Sequence, residues 1–218
     1  MSAIVFDLDG TLIDSAPDLR AAANAMLADE RLEPLDLVTI TSFIGNGLPH
    51  LVRRVMEFRG LDMTRHDALT DTVLNHYAAA KGAYTTLYPN VKQVLTGLRA
   101  DGHVLGLCTN KPIAPTRDVL EQLDLAGLFE TVIAGDSLPQ RKPHPAPLLA
   151  AFKALGSSGL YVGDSEVDAE TAQRGEVPFA LFTEGYRKTP VSGMAHRWSF
   201  SDFAALPTIV ASLVNPSA

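Results

Sequence analysis

The stretch Ile4-Val5-Phe6-Asp7-Leu8-Asp9-Gly10-Thr11 decides the fold of this chain, because an apolar run ends abruptly in two acids, a glycine and a threonine. Such an apolar run is typical of a strand buried inside a parallel sheet. Open α/β sheets bind their ligands beyond the carboxyl ends of the strands. We therefore expect the first strand to end at a functional site.

Composition restricts the kinds of partner that the protein can have. The 218 residues are 46% hydrophobic, which is enough for a sizeable core. Eighteen basic against twenty-five acidic side chains give a net charge of −7, which would repel a nucleic acid. One cysteine cannot form an internal disulfide. No apolar run approaches the roughly 20 residues of a membrane-spanning helix, and no signal-like stretch precedes Asp7. We expect a cytoplasmic protein without nucleic-acid or membrane partners.

The spacing of apolar residues divides the chain into two kinds of structure. From residue 15 to about 81 the spacing is helical. The first helix is predicted to begin with Ser15 as its N-cap, Pro17 in its first turn and Asp18 as an acidic partner for the exposed amides. From Tyr88 onward, short apolar runs alternate with helical segments, as in a parallel sheet with crossover helices. The predicted strands there are 104–108, 131–134, 160–162 and 178–182. The sequence predicts an α/β fold, a Rossmann-like parallel sheet core (1–14 and 82–218) with an all-helical domain inserted at 15–81.

Acidic residues follow two of the predicted strands. Asp7 and Asp9 are two residues apart, so in a strand they would point to the same side. Asp164 and Asp168 follow another strand. Four clustered acids repel one another unless a cation or protonation relieves them. Because no histidine pair or cysteine set lies beside them, oxygen ligands for Mg²⁺ are the favoured interpretation.

Two further strand ends carry groups that suit a phosphate. Thr109 follows a strand, and the next residues open a helix whose N-terminus favours anions. Lys142 lies in a loop stiffened by Pro143 and Pro145, where an ammonium can act as a fixed point charge. These groups together indicate chemistry on a phosphate ester.

Four segments, taken in order, resemble the four motifs of the haloacid dehalogenase superfamily. They are Asp-Leu-Asp-Gly-Thr at 7–11, Thr109, Lys142 and Gly-Asp-Ser-Glu-Val-Asp at 163–168. The chain is also similar to the phosphoglycolate phosphatase family at 14–19, 45–47, 109–112 and 135–145. The resemblance covers nearly the whole chain and implies a core of the haloacid dehalogenase type with an inserted helical cap.

The resemblance implies a Mg²⁺-dependent phosphate monoester hydrolase of carbohydrate metabolism. Its substrate would be a small phosphorylated carboxylic acid, 2-phosphoglycolate, converted with water to glycolate and phosphate. Asp7 would attack phosphorus to form an aspartyl-phosphate, and Asp9 would act as general acid and base. The other implied roles are Mg²⁺ binding by Asp7, the backbone of Asp9 and Asp164, phosphate binding by Thr11, Thr109, Asn110 and Lys142, and support of Lys142 by Asp168.

The same residues leave other functions open. A phosphatase for another small ester, a sugar phosphomutase, or an inactive protein that binds metal and phosphate would share this scaffold. Asp9 argues against a dehalogenase, Thr11 favours a phosphatase over a mutase, and an inactive protein should have lost one of the motif residues. The group that would bind a substrate carboxylate also stays open, since Lys111, His50, Arg53 and Arg54 are all candidates and the helical arginines also suit a solvated face.

Overall fold

A six-stranded parallel sheet forms the larger part of the protein, whose computed structural model describes residues 2–80 and 82–214. The strand order is β5-β4-β1-β6-β7-β8, while β2 and β3 pair with each other. The α/β expectation is therefore confirmed. The strands are β1 (Ala3–Phe6), β2 (Ile13–Asp14), β3 (Thr86–Leu87), β4 (Val104–Cys108), β5 (Thr131–Ile133), β6 (Gly159–Gly163), β7 (Phe179–Phe182) and β8 (Trp198–Phe200).

α-Helices occupy the long connections that join β1 to β4, β4 to β5, β5 to β6 and β6 to β7, whereas a short 3₁₀ helix (Val191–Gly193) lies between β7 and β8. Among the described residues, no helix combines the length and the apolar composition needed to cross a membrane. The helices are α1 (Ala16–Asp29), α2 (Leu37–Thr41), α3 (Leu48–Arg59), α4 (His66–Ala80), α5 (Val91–Ala100), α6 (Ile113–Gln122), α7 (Ala146–Leu155), α8 (Glu166–Arg174) and α9 (Leu206–Val214).

The chain divides into two compact units. One comprises Met1–Ile13 and Leu87–Ala218 and holds the six-stranded sheet, and the other is Asp14–Thr86. The second unit begins one residue earlier and ends five residues later than the insert at 15–81, and Lys81 itself lies outside the described residues. The predicted strands other than 104–108 also shift by a residue at one or both ends. For example, β7 begins at Phe179 because Pro178 has no N–H to donate to a neighbouring strand.

Strand β1 is buried on both faces, which fixes the position of the residues that follow it. Ile4 and Phe6 belong to one apolar cluster, and Ala3 and Val5 belong to another on the opposite face. Because β1 pairs with β4 on one side and β6 on the other, all of its residues are enclosed. Asp7 therefore leaves the sheet from a rigid, central strand.

In the helical unit, Asp18 has a role that differs from the sequence-based expectation. We expected Ser15 to cap α1 and Asp18 to face the exposed amides of its first turn. In the structure, the Ser15 side chain makes no capping hydrogen bond. Asp18 is fully buried, and its carboxylate accepts hydrogen bonds from the Tyr84 N–H at 3.1 Å and the Thr85 hydroxyl at 2.5 Å. Burial with these partners outweighs the local preference for the helix terminus.

Candidate active site

Four polar side chains lie together at the carboxyl edge of the sheet. Asp7 follows β1, Thr109 follows β4, Asp164 follows β6, and Lys142 lies in the loop between β5 and α7. All four are buried. Because β4, β1 and β6 are neighbours, the ends of three distant sequence segments meet at this edge. The polar residues that the sequence places after the strands therefore lie at the same edge of the sheet, where open α/β sheets bind their ligands.

The Lys142 ammonium is the centre of a buried charge network. Its Nζ lies 2.8 Å from Asp7 Oδ1 and 2.7 Å from Asp168 Oδ1, and it donates to the Tyr161 hydroxyl at 2.9 Å. Burial alone would lower the pKa of Lys142, but the negative charges of Asp168 and Asp7 raise it above its usual value. Lys142 is therefore held as a cation against Asp7.

Asp168 is held by four donors in addition to its place at the start of α8. Oδ1 accepts from Lys142 and from the Tyr161 hydroxyl at 2.6 Å, while Oδ2 accepts from the Ser165 N–H at 3.1 Å and its hydroxyl at 2.6 Å. Burial would raise the pKa of Asp168, but the Lys142 charge and these hydrogen bonds hold it below its usual value. Asp168 is therefore a fixed carboxylate with its oxygens already engaged.

Tyr161 is a site residue that the sequence analysis missed. It sits in the middle of β6, among apolar residues, and is fully buried. Burial and the nearby charge of Asp168 raise the pKa of its phenol well above the usual value, so it stays protonated and can donate. A buried tyrosine hydroxyl normally needs a polar partner. That requirement, applied to a tyrosine two residues before Gly163-Asp164, could have identified it.

Asp164 is oriented by both of its carboxylate oxygens. Oδ1 accepts from the Thr11 hydroxyl at 2.7 Å, and Oδ2 accepts from the Tyr186 N–H at 2.7 Å. Gly10, at φ 89°, passes close to this carboxylate, and a Cβ there would lie 2.5 Å from Oδ2. The glycine is therefore required by its backbone angle and by the close approach.

Two residues that the sequence analysis predicts at the phosphate have side chains that contact other residues of the site. The single hydroxyl proton of Thr11 is donated to Asp164, so it cannot also be donated to a phosphoryl oxygen. The Asn110 amide donates to the Lys142 carbonyl and accepts from the Lys142 N–H, both at 3.0 Å. Asn110 thereby fixes the backbone from which the Lys142 ammonium extends.

Thr109 keeps a geometry that suits an anion. Its Oγ1 accepts from the Lys111 N–H at 3.1 Å. An oxygen that accepts this bond still has its own proton to donate elsewhere. Thr109 therefore offers a buried O–H donor at the end of β4, the strand next to β1.

Asp9 is paired separately from the other acids. Its Oδ1 lies 2.9 Å from the Lys111 Nζ, and the Asp9 and Lys111 side chains are 17% and 6% exposed. We expected four crowded acids at this edge. The structure instead groups three, Asp7, Asp164 and Asp168, and gives Asp9 its own cation.

The three grouped acids fit a hard divalent cation. One oxygen from each lies within 4.8 Å of the others. Burial raises the pKa of Asp7 to about 7 and that of Asp164 well above its usual value, and the charge of Asp168 adds to both shifts. The Lys142 ammonium contacts two of these three carboxylates, Asp7 and Asp168, so a cation with oxygen ligands would relieve the remaining negative charge. Asp7 and Asp164 are the better ligands, because the oxygens of Asp168 already accept four hydrogen bonds.

Comparison with known proteins identifies the family. A family model described as haloacid dehalogenase-like hydrolase matches residues 4–182, a range that contains every residue of this site except Tyr186. The chain belongs to this family. Its curated relatives include the phosphoglycolate phosphatase of Cereibacter sphaeroides strain ATCC 17025, which is 48% identical over 98% of this chain and 100% of the relative. The phosphoglycolate phosphatase of Rhodospirillum rubrum is 41% identical over 94% of this chain and 88% of the relative.

A solved structure supports the same placement. The crystal structure of a protein described as a predicted phosphoglycolate phosphatase, from Haemophilus somnus, superposes with a TM-score of 0.90. The two sequences are 32% identical, and the match covers 96% of this chain and 97% of the other. The match therefore includes residues of both units of the present chain.

The raised pKa values predict how the stability of the metal-free protein depends on pH. A folded state that binds protons more tightly than the unfolded chain loses stability as pH rises from about 4 to about 7. A divalent cation competes with those protons, so it should raise the melting temperature more at pH 8 than at pH 5. Calorimetry with MgCl₂ or a chelator measures this difference. The Asp164→Asn variant should lose the effect of the cation on the melting temperature. Asp71 is an exposed acid of the helical unit, so the Asp71→Asn variant should keep that effect. An equal effect of the cation at both pH values would contradict the account.

The Tyr161 hydroxyl should contribute measurably to stability, because its removal leaves Lys142 and Asp168 each without one buried partner. We expect Tyr161→Phe to lower the free energy of unfolding by about 1–3 kcal/mol. Tyr84→Phe is the matched control, since Tyr84 is largely exposed and should change stability by less than about 0.5 kcal/mol. Urea denaturation of both variants makes the comparison, and equal stabilities would show that the network does not depend on Tyr161.

Proposed function

We propose that this protein is a Mg²⁺-dependent phosphatase that hydrolyses 2-phosphoglycolate to glycolate and phosphate. The observation that carries the proposal is the buried Asp7 carboxylate, 2.8 Å from the Lys142 ammonium at the end of β1. The nearly full-length similarity to curated phosphoglycolate phosphatases supports the choice of substrate.

Asp7 is proposed as the nucleophile. It lies at the centre of the sheet edge, on a strand that cannot shift without disturbing both apolar clusters. Its carboxylate attacks phosphorus, the bond to the ester oxygen breaks, and an aspartyl-phosphate forms. The neighbouring Lys142 charge favours the carboxylate form of Asp7 and faces the charge that builds on the phosphoryl oxygens.

Mg²⁺ would be held by Asp7, Asp164 and the backbone carbonyl of Asp9. When bound, it would neutralise the phosphate so that an anionic nucleophile can approach it. Thr11 and the Tyr186 N–H fix the Asp164 carboxylate. The Asp164 carboxylate is therefore already oriented before the cation binds.

Asp9 is proposed as the general acid and then the general base. In its protonated form it donates a proton to the ester oxygen as glycolate leaves, and the resulting carboxylate later accepts one from the water that attacks the aspartyl-phosphate. Its ion pair with Lys111 holds the carboxyl group in one orientation. Thr109 donates its hydroxyl proton to a phosphoryl oxygen, while Asn110 and Asp168 keep Lys142 in place.

A panel of phosphate esters tests this function. We expect kcat/KM for 2-phosphoglycolate to exceed that for glucose 6-phosphate and AMP by at least about 10-fold, with activity lost in excess chelator. Equal rates for the sugar and nucleoside esters would overturn the proposed substrate. Conversion of glucose 1-phosphate to glucose 6-phosphate without phosphate release would favour a mutase, and no turnover of any ester would favour an inactive binding protein.

A further inference from the structure

We propose that Lys111 determines specificity by binding the carboxylate of the substrate. The inference rests on the proposed function and deepens it. It names the group in this chain that distinguishes a phosphorylated carboxylic acid from a phosphate ester without a carboxylate. The residues that carry it all lie in the unit that holds the parallel sheet.

Lys111 is held rigidly, unlike an ordinary surface lysine. Its N–H donates to Thr109 Oγ1 at 3.1 Å, and its carbonyl accepts from the Gly135 N–H at 2.8 Å. Its side chain is 6% exposed. Lysine ammonium groups are rarely buried unless they are paired. The protein therefore keeps this charge enclosed at a defined place.

The position of the Lys111 ammonium matches the shape of the proposed substrate. Its Nζ lies 2.9 Å from Asp9 Oδ1, and the general acid must lie within hydrogen-bond reach of the ester oxygen, about 2.6–3.2 Å. In 2-phosphoglycolate, one methylene carbon separates that ester oxygen from the carboxylate carbon. A substrate placed for attack by Asp7 and protonation by Asp9 therefore brings its carboxylate to the vicinity of Lys111.

The charges also require a cation at this point. After Asp9 has given its proton to the ester oxygen, it and the carboxylate next to it are both anions, and they would repel each other without a positive group nearby. An ammonium carries three N–H donors, so Lys111 can donate to Asp9 and to the substrate at the same time. The ion pair seen in the structure is thus one part of a larger arrangement that the substrate completes.

Lys142 does not suit this role. Its ammonium already faces Asp7, Asp168 and the Tyr161 hydroxyl at 2.8, 2.7 and 2.9 Å. Among the described residues, Lys111 and Lys142 are the buried cationic side chains. Lys111 is therefore the buried cation adjacent to the proposed proton donor.

The arginines suggested by the sequence have different surroundings. Arg53 and Arg54 are exposed in the helical unit. Arg54 lies over the Phe43 ring, 5.5 Å from its centroid, and 3.7 Å from Glu57. These contacts suit a solvated helix face, which was the alternative interpretation of their spacing.

The test compares 2-phosphoglycolate with its carboxylate methyl ester, which keeps the phosphate and the methylene carbon but removes the negative charge. Steady-state kinetics with Mg²⁺ would be measured for the wild type, Lys111→Met, Lys111→Arg and Lys92→Met. Lys92 is a matched control, because it pairs with Asp124 at 3.2 Å in an exposed ion pair. Turnover of the methyl ester also reports whether each variant is folded.

The wild type should prefer 2-phosphoglycolate over the methyl ester, mainly through KM. Lys111→Met should reduce that preference by about 10- to 100-fold, as expected for loss of a hydrogen bond to a charged group. Lys111→Arg should retain part of the preference, and Lys92→Met should retain all of it.

Three results would overturn the inference, and they distinguish its failure from a failure of the proposed function. If the wild type hydrolyses 2-phosphoglycolate but Lys111→Met lowers kcat/KM for both esters by the same factor, Lys111 only positions Asp9 and the proposed function stands. If the wild type prefers 2-phosphoglycolate and Lys111→Met keeps that preference unchanged, Lys111 does not bind the substrate carboxylate and the proposed function again stands. If the wild type hydrolyses neither ester, the proposed function fails and the inference fails with it.

Discussion

The site depends on one interaction, the buried contact of the Lys142 ammonium with both Asp7 and Asp168. A buried ion pair is costly to form and more costly to break, because removing one partner leaves an uncompensated charge. Here the cost is offset by a network in which Asp168 accepts four hydrogen bonds and Lys142 has three neighbours. The network holds a fixed positive charge next to Asp7, which is what the proposed nucleophile requires.

The sheet makes that contact possible. Asp7 and Asp168 are brought to the same edge because β1 and β6 are parallel neighbours with matched register, Phe6 opposite Val162. The Asp7 N–H extends this pairing by donating to the Val162 carbonyl at 2.9 Å. Lys142 comes from a separate loop, and the side-chain amide of Asn110, which follows β4, forms two hydrogen bonds with the Lys142 backbone. Packing in the core therefore sets distances between charges that are far apart in sequence.

Sequence reasoning predicted the parts of this arrangement that local pattern encodes. Alternation of apolar strands and helices predicted β4 at its observed bounds. The same pattern predicted that Asp7, Thr109 and Asp164 follow strands, and all three are buried polar residues at strand ends. Such patterns are local, because the burial of a strand and the position of its end determine which residue types occur at adjacent positions in the sequence. The expected sheet was accordingly recovered with errors of about a residue at strand ends.

Pairings between distant side chains were not predictable in the same way. Thr11 was expected at a phosphate, yet its proton goes to Asp164, and Asp9 was expected among the other acids, yet it pairs with Lys111. Tyr161 reads as one more apolar residue of a strand, although its hydroxyl joins Lys142 to Asp168. Each of these contacts depends on side-chain geometry at the site, which periodicity does not encode.

The central claim is that this network makes Asp7 the group that accepts the phosphoryl group. The most direct measurement is to quench the reaction with acid during turnover, reduce acyl phosphates with borohydride, and locate the modified residue by mass spectrometry of peptides. The account predicts that the aspartate converted to homoserine is Asp7, with no conversion in Asp7→Asn. Conversion at Asp9, Asp164 or Asp168, or rapid turnover by Asp7→Asn, would contradict it.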